Sequence, residues 1–247
     1  MNNAGPACIG RWTVRALLVS ALIAVGSAAA LEIAYRAVLF STGKPPPPPR
    51  SRLPIVVQSV AWASVEARGP MKMVPVWPWS FVSALRSDGE LPSGWRLASV
   101  DAQRIVSNNA HAKPKPALKW VLSTSAVAMW ITRHWTTEEA TDYFWQTAAF
   151  PRDIQGLADS ASFFFGKPVD GLSLNQAALL GGLTIEPQRA DPYCNSRIAE
   201  DLRRRVMTNL QRSALIGPLE AREAMSVPID AMLVPRNDCD SPLGHRR

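Results

Sequence analysis

The sequence predicts an all-α protein: a helical domain placed behind one long apolar helix. Three observations predict it. From Leu53 onward apolar residues recur at three- and four-residue spacing in one stretch after another. No stretch alternates apolar and polar residues between hairpin-type turn signals. Near the N-terminus, Ala16 to Leu31 carries no charged residue at all.

The N-terminal stretch "RWTVRALLVSALIAVGSAAALEIAYRAVLF" comes first. A membrane span needs about 20 apolar residues to cross roughly 30 Å of hydrocarbon. Trp12–Val14 and Ala37–Phe40 lengthen the uncharged segment to that size, with Glu32 and Arg36 near an interface. The reading is a cytoplasmic tail over 1–11 and a transmembrane anchor over 12–40. Arg11 and Arg15 precede the span, so the positive-inside rule places the rest of the chain outside the cytoplasm. A cleaved signal peptide is the rival, since "GSAAALE" offers small residues for cleavage. The apolar character resumes after Glu32, which favours an uncleaved anchor. "STGKPPPPPRSR", 41–52, is a stiff proline linker expected to hold a domain a short distance off the membrane. An SH3-type ligand is the other use of such a run, and it needs a cytoplasmic reader.

The domain proper is expected over 53–235, with a tail over 236–247. Its helices are read in order as "IVVQSVAWASVEA", "WSFVSALRS", "LASVDAQRIVSNN", "LKWVLSTSAVAMWITRHW", "TTEEATDYFWQTAAF", "LADSASFFF", "SLNQAALLGGL", "SRIAEDLRRRVMTNLQRSAL" and "GPLEAREAM". Thr136 or Thr137 before two glutamates is an N-terminal cap signal. Ser173 and Gln176 form an S-x-x-Q capping box, so a helix starts at Leu174. Gly181 and Gly182 then pose a choice. Each costs about 1 kcal/mol relative to alanine inside a helix. Either the helix stops there, or something packs so closely that no side chain fits.

Composition narrows the function. With 27 Lys and Arg against 20 Asp and Glu, the chain carries a net charge of +7 and suits an anionic partner. Cys8, Cys194 and Cys239 make no CxxC, and His111, His134 and His245 stand apart. No metal-ligand spacing exists, so neither a structural zinc nor any other metal or cofactor is expected. Outside the membrane Cys194 and Cys239 either bridge, tying the tail back, or remain two free thiols. The basic stretch "DLRRRVMTNLQR" fits a solvated helix face or anionic head groups, and nucleic acid is not expected as a partner. Phe163–Phe165 and Trp120, Trp130, Trp135 and Trp145 read as core rather than as a ligand box.

The last third carries a more specific signal. "FFFGKPVDGLSLNQAALLGGLTIEPQRADPY", 163–193, and "RIAEDLRRRVMTNLQRSALIGPLEAREAM", 197–225, resemble the bacterial peptidoglycan glycosyltransferases. That family includes the transglycosylase domain of penicillin-binding proteins and the monofunctional transglycosylases. Phe164–Lys167, Leu172–Leu183, Pro187 and Pro192 match its motifs in order, with Gln176 in place of the usual glutamate. "HWTTEEATDYFWQ", 134–146, resembles R-Y-S-K-D-E-I-L-E-x-Y-L-N. "LASVDAQRIVSNN", 97–109, resembles G-G-S-T-I-T-Q-Q-L-A-K-N, with Ser99, Gln103 and Asn108 matching. "VQSVAWASVEARG", 57–69, resembles the helix ending in the family's catalytic Glu-Asp, and Glu66 falls on that glutamate.

The resemblance implies a lysozyme-like helical fold and chemistry on lipid II. In that chemistry a carboxylate takes the proton from a sugar hydroxyl, which then displaces a lipid diphosphate from a neighbouring anomeric carbon. Glu66 is the candidate catalytic base. Ser99, Gln103, Arg68 and Lys72 are candidate substrate-binding residues, the last two as partners for phosphate. Lipid II or glycan strands, the membrane and cell-wall synthesis proteins are the implied partners, and the implied location is the inner membrane with the domain outside. The departures are concentrated at the chemistry. Ala67 replaces the family's aspartate, and Pro70 and Met73 stand for its phenylalanine and histidine. Thr124 stands where the second glutamate belongs, and no carboxylate occurs from Leu118 to Thr132. The expectation is a family scaffold with an eroded active site. An active, divergent transferase using Glu66 is the alternative, and a membrane-anchored helical protein of chance resemblance is a third.

Overall fold

A computed structural model describes residues 6–43, 45–49, 53–65, 69–86, 89, 91–108 and 116–235. Ten α-helices occur among them. They are α1 (Pro6–Thr42), α2 (Ile55–Ser64), α3 (Pro78–Arg86), α4 (Trp95–Asn108) and α5 (Ala117–His134), then α6 (Thr137–Gln146), α7 (Leu157–Phe165), α8 (Leu174–Leu183), α9 (Ser196–Arg212) and α10 (Pro218–Met225). No strand forms among the described residues; one isolated bridge joins Ala149 and Gln155. The all-α class stands.

The helix starts follow the sequence signals. At α6 the Thr136 hydroxyl accepts from the Glu139 amide while the Glu139 carboxylate accepts from the Thr136 amide, which satisfies two of the first-turn donors reciprocally. Ser173 and Gln176 make the same box at α8.

The core is organised around α2. Val57, Val60, Ala61, Trp62 and Ala63 are all buried, so this short helix shows almost no polar face. It lies against α6, α8 and α9. The two glycines explain how. α8 does not stop at Gly181 but runs on to Leu183. A Cβ on Gly181 would lie 2.6 Å from Val60 Cγ1 and closer still to the Ser64 hydroxyl, both on α2. A Cβ on Gly182 would lie 2.9 Å from the backbone of Leu202 and Arg203 on α9. Close packing, not helix termination, is the answer to the choice the sequence posed.

α1 is the one described helix long and apolar enough to cross a membrane, over Thr13–Thr42. Its C-terminal turns dock on α3 and α5. Tyr35 is buried with Val76, Ala126 and Met129, and Thr42 Oγ1 donates to Ser123 Oγ at 3.1 Å. Arg133 reaches Glu32 at 3.3 Å and stacks over Trp77 at 4.0 Å. Pro45 is buried and Pro46, Pro48 and Pro49 are half-buried, so these prolines lie against the protein.

Candidate functional site

The site expected from sequence lies beyond the C-terminal end of α2. Glu66 and Arg68, as well as Ala67, fall outside the described residues. What the structure does show is how rigidly the chain is delivered there. Asn209 Nδ2, from α9, donates at 3.0 Å to the carbonyl of Ala63 in the last turn, an oxygen that also accepts from the Val65 N–H at the helix end. Ser64 bonds back to Val60, and Gly181 packs beside it. The end of α2 is therefore held from two helices.

After that end the chain returns as an extended segment over 72–77. It is fixed at each step by side chains of neighbouring helices. The Met73 amide donates to Thr137 Oγ1 at 2.9 Å, and the Val76 amide donates to Thr132 Oγ1 at 3.1 Å. The Val74 amide donates to the Ser93 carbonyl. Gly94 lets this segment approach: its φ is +87°, and a Cβ there would sit 2.6 Å from Met73 Sδ and 3.1 Å from Met73 Cα. Met73, where the resemblance implies a histidine, is buried. Lys72 beside it is exposed, which leaves its ammonium accessible.

Ser99 and Gln103 lie one turn apart on α4, so they share a face. The Ser99 hydroxyl donates to the Trp95 carbonyl at 2.7 Å and is half-buried; Gln103 is exposed. Gly94 immediately precedes α4, so Lys72 and the Ser99 turn belong to one neighbourhood, with Gln103 a turn further on. On α5, Thr124 donates to the carbonyls of Trp120 and Val121, both at 3.0 Å. Its single O–H donor is thus shared between two carbonyls of its own helix. Leu118, Val121 and Leu122 around it are exposed. An apolar face stands where the resemblance implies acid and base.

Residues 100–211, from α4 to α9, match the family model described as Transglycosylase. Over that stretch the chain is a divergent relative of the transglycosylase family. Penicillin-binding protein 1A of Streptococcus pneumoniae is 29% identical over 94 residues, which cover 38% of this chain and 13% of that protein. A protein of Cupriavidus necator named as a transglycosylase is 32% identical over 88 residues, covering 36% of this chain and 37% of its own length. The matched part is thus well under half the length of either relative. A crystal structure of penicillin-binding protein 1A from Haemophilus influenzae aligns over 53% of this chain and 16% of its own, at 18% identity and a TM-score of 0.34. The transglycosylase match begins inside α4, so α2 and the segment carrying Glu66 lie before it.

Several functional-looking groups were not singled out by sequence. Asp101, on α4, and Asp142, on α6, are almost completely buried, and neither carboxylate has a hydrogen-bond partner. Burial pushes Asp101 well above the usual carboxylate range, against the pull of Arg104. Burial likewise pushes Asp142 up to about 6, helped by Glu138 and Glu139. The Leu53 backbone N–H draws Asp142 back toward the anion. Arg104 donates to the Phe144 carbonyl at 2.6 Å and to Thr147. Arg203 is buried, bonded to Glu200 at 2.7 Å and to the Val227 carbonyl. A signal for Asp101 was available: it falls among Leu97, Ala98 and Ile105 on one helix face.

Cys194 is disulfide-bonded. It follows a turn clamped by Arg152, whose Nε donates to Asp191 at 2.8 Å and whose guanidinium stacks over Tyr193. Cys239, for which the sequence left a bridge to Cys194 and a free thiol both open, lies outside the described residues.

Proposed function

We propose that this protein is a membrane-anchored, transglycosylase-family binding protein of cell-wall synthesis. On this reading it engages lipid II or glycan strands outside the cytoplasm and polymerises them weakly or not at all. The observation that carries the reading is the state of Thr124. A neutral hydroxyl already bonded to two carbonyls of its own helix replaces a carboxylate, amid exposed leucine and valine. It neither accepts a proton at neutral pH nor offers charge to a diphosphate. Each positioned acid or base typically contributes about 10²–10⁴-fold to a rate. Met73, where the resemblance implies a histidine, is buried and brings no titratable group.

What remains suits binding. Lys72 is exposed, Gln103 presents an amide on the outer face of α4, and α1 ties the domain to an apolar helix of membrane-spanning length. Glu66 and Arg68 complete the proposed set, with Glu66 as the base for any residual transfer. The test is glycan-chain formation from labelled lipid II, with wild type beside Glu66→Gln. The expected result is little or no chain product from either. Robust wild-type polymerisation overturns the reading, and wild-type product that survives Glu66→Gln removes the base assignment.

A further inference from the structure

A cavity lies at the N-terminal end of α2, beside Leu53. It has a volume of about 500 Å³ and opens between the chain entering α2, the C-terminal half of α6, the start of α7 and the turn at 169–170. α2 has ten residues, so about 15 Å of helix separates its two ends. Among the described residues the cavity lining includes the carboxylates of Asp142, Asp159 and Asp170 and no cationic side chain. That is a marked local reversal in a chain of net charge +7.

Surface aspartates alone make no site; Asp142 is different. It is 1% exposed, it lines the cavity, and both of its carboxylate oxygens lack a partner. A buried acceptor left without a donor is costly. A donor arriving through the cavity would remove that cost. We propose that this cavity binds an organic cation with N–H donors on an aliphatic stem, whose charged head pairs with Asp142. A head of this kind brings at least three donors and no acceptor. Asp159 and Asp170, both exposed, would hold the cation at the rim, while the apolar walls of Leu53, Trp145 and Val169 take the stem. A metal ion fits less well: among the described residues no three carboxylate, histidine or cysteine groups come close enough to hold one.

The cation has two sources, a free aliphatic amine or the side chain of a basic residue in a peptide. Titration calorimetry on the full chain in detergent separates them. The probes are 1,5-diaminopentane, Nα-acetyl-lysine methylamide, the Nζ-acetylated form of the latter, and tetramethylammonium. Saturable binding is expected for at least one of the first two, and the tighter identifies the source. The neutral acetylated form and the quaternary ion, which has charge but no N–H, are expected not to bind. Asp142→Asn should weaken the bound amine about tenfold or more, the scale of a hydrogen bond to a charged group. Should Asp142→Asn fail to fold, the exposed Asp170→Asn serves in its place, with a roughly two- to fivefold loss expected for a rim charge. No saturable binding of either amine overturns the proposal. So does equal binding of tetramethylammonium, or an affinity unchanged in folded Asp142→Asn and Asp170→Asn. Lipid II is absent from this experiment, so its outcome is independent of the proposed glycan function.

Discussion

Replacing Gly182 by alanine tests the packing that fixes the fold. A Cβ on this residue would stand 2.9 Å from Arg203 N and from Leu202 C, and 3.1 Å from Leu202 Cβ. Ordinary contact begins near 3.4 Å, so the shortfall is half an ångström. The obstructing atoms are α9 backbone, so no rotamer change relieves them. α9 must move, and with it Asn209, which caps α2. Overpacking of this kind costs about 1–3 kcal/mol. Against it stands the alanine preference in a helix, about 1 kcal/mol. Because the obstruction is backbone, the cost falls in the upper part of that range, about 2–3 kcal/mol, and the net loss is about 1–2 kcal/mol, or roughly 2–8 °C in melting temperature for a domain of this size. Circular dichroism melts of the full chain in detergent read it directly. Gly26→Ala is the control, because a Cβ there meets nothing within 4 Å. Gly181→Ala meets side chains only, so pairing it with Val60→Ala should recover part of its loss. A Gly182→Ala protein that melts at or above wild type refutes the reasoning.

Three further outcomes follow from the buried charges. Asp142 titrates near 6 in the folded protein against a reference of 3.8, so the folded state holds the extra proton between those values. Its contribution to stability is fully present below pH 3.8 and lost as pH rises through 6, a change of about 3 kcal/mol; urea titrations across that window should show the decline, and Asp142→Asn should flatten it. Asp101 is buried with no donor for either oxygen, so Asp101→Leu should raise stability at pH 7 by about 1–3 kcal/mol, measured by the same titration. Glu32→Ala leaves Arg133, itself largely buried, without its carboxylate, and should expose the end of α1 to cysteine labelling at position 42 in a Thr42→Cys background while wild-type Glu32 protects it.

The sequence carried most of the fold because its local signals agree with one another. Both capping boxes form where the motif spacing puts them, and α7 follows "LADSASFFF" residue for residue. The glycine pair was ambiguous, because a helix-breaking residue and a close-packing residue look alike in one dimension. Only the positions of Ser64, Val60 and α9 decide it. The burial of the proline run was not legible for a similar reason: its stiffness is local, while its burial depends on where the end of α1 docks. The candidate site was legible through the family motifs alone. No periodicity distinguishes Thr124 from any other helical threonine, and the bond back to Trp120 and Val121 appears only in three dimensions. Asp142 was hidden inside a polar-looking stretch, "TTEEATDYFWQ", where nothing in the spacing separates the buried carboxylate from the exposed ones.

The central claim is binding without efficient polymerisation, and one sample can measure both halves. Labelled lipid II is incubated with the full chain in detergent, bound label is measured by anisotropy, and the same mixture is run on a gel that resolves glycan chains. The account predicts saturable binding, weakened by Lys72→Ala, with the label remaining as monomer. Long glycan chains in the wild-type lane, or no saturable binding at all, would contradict it.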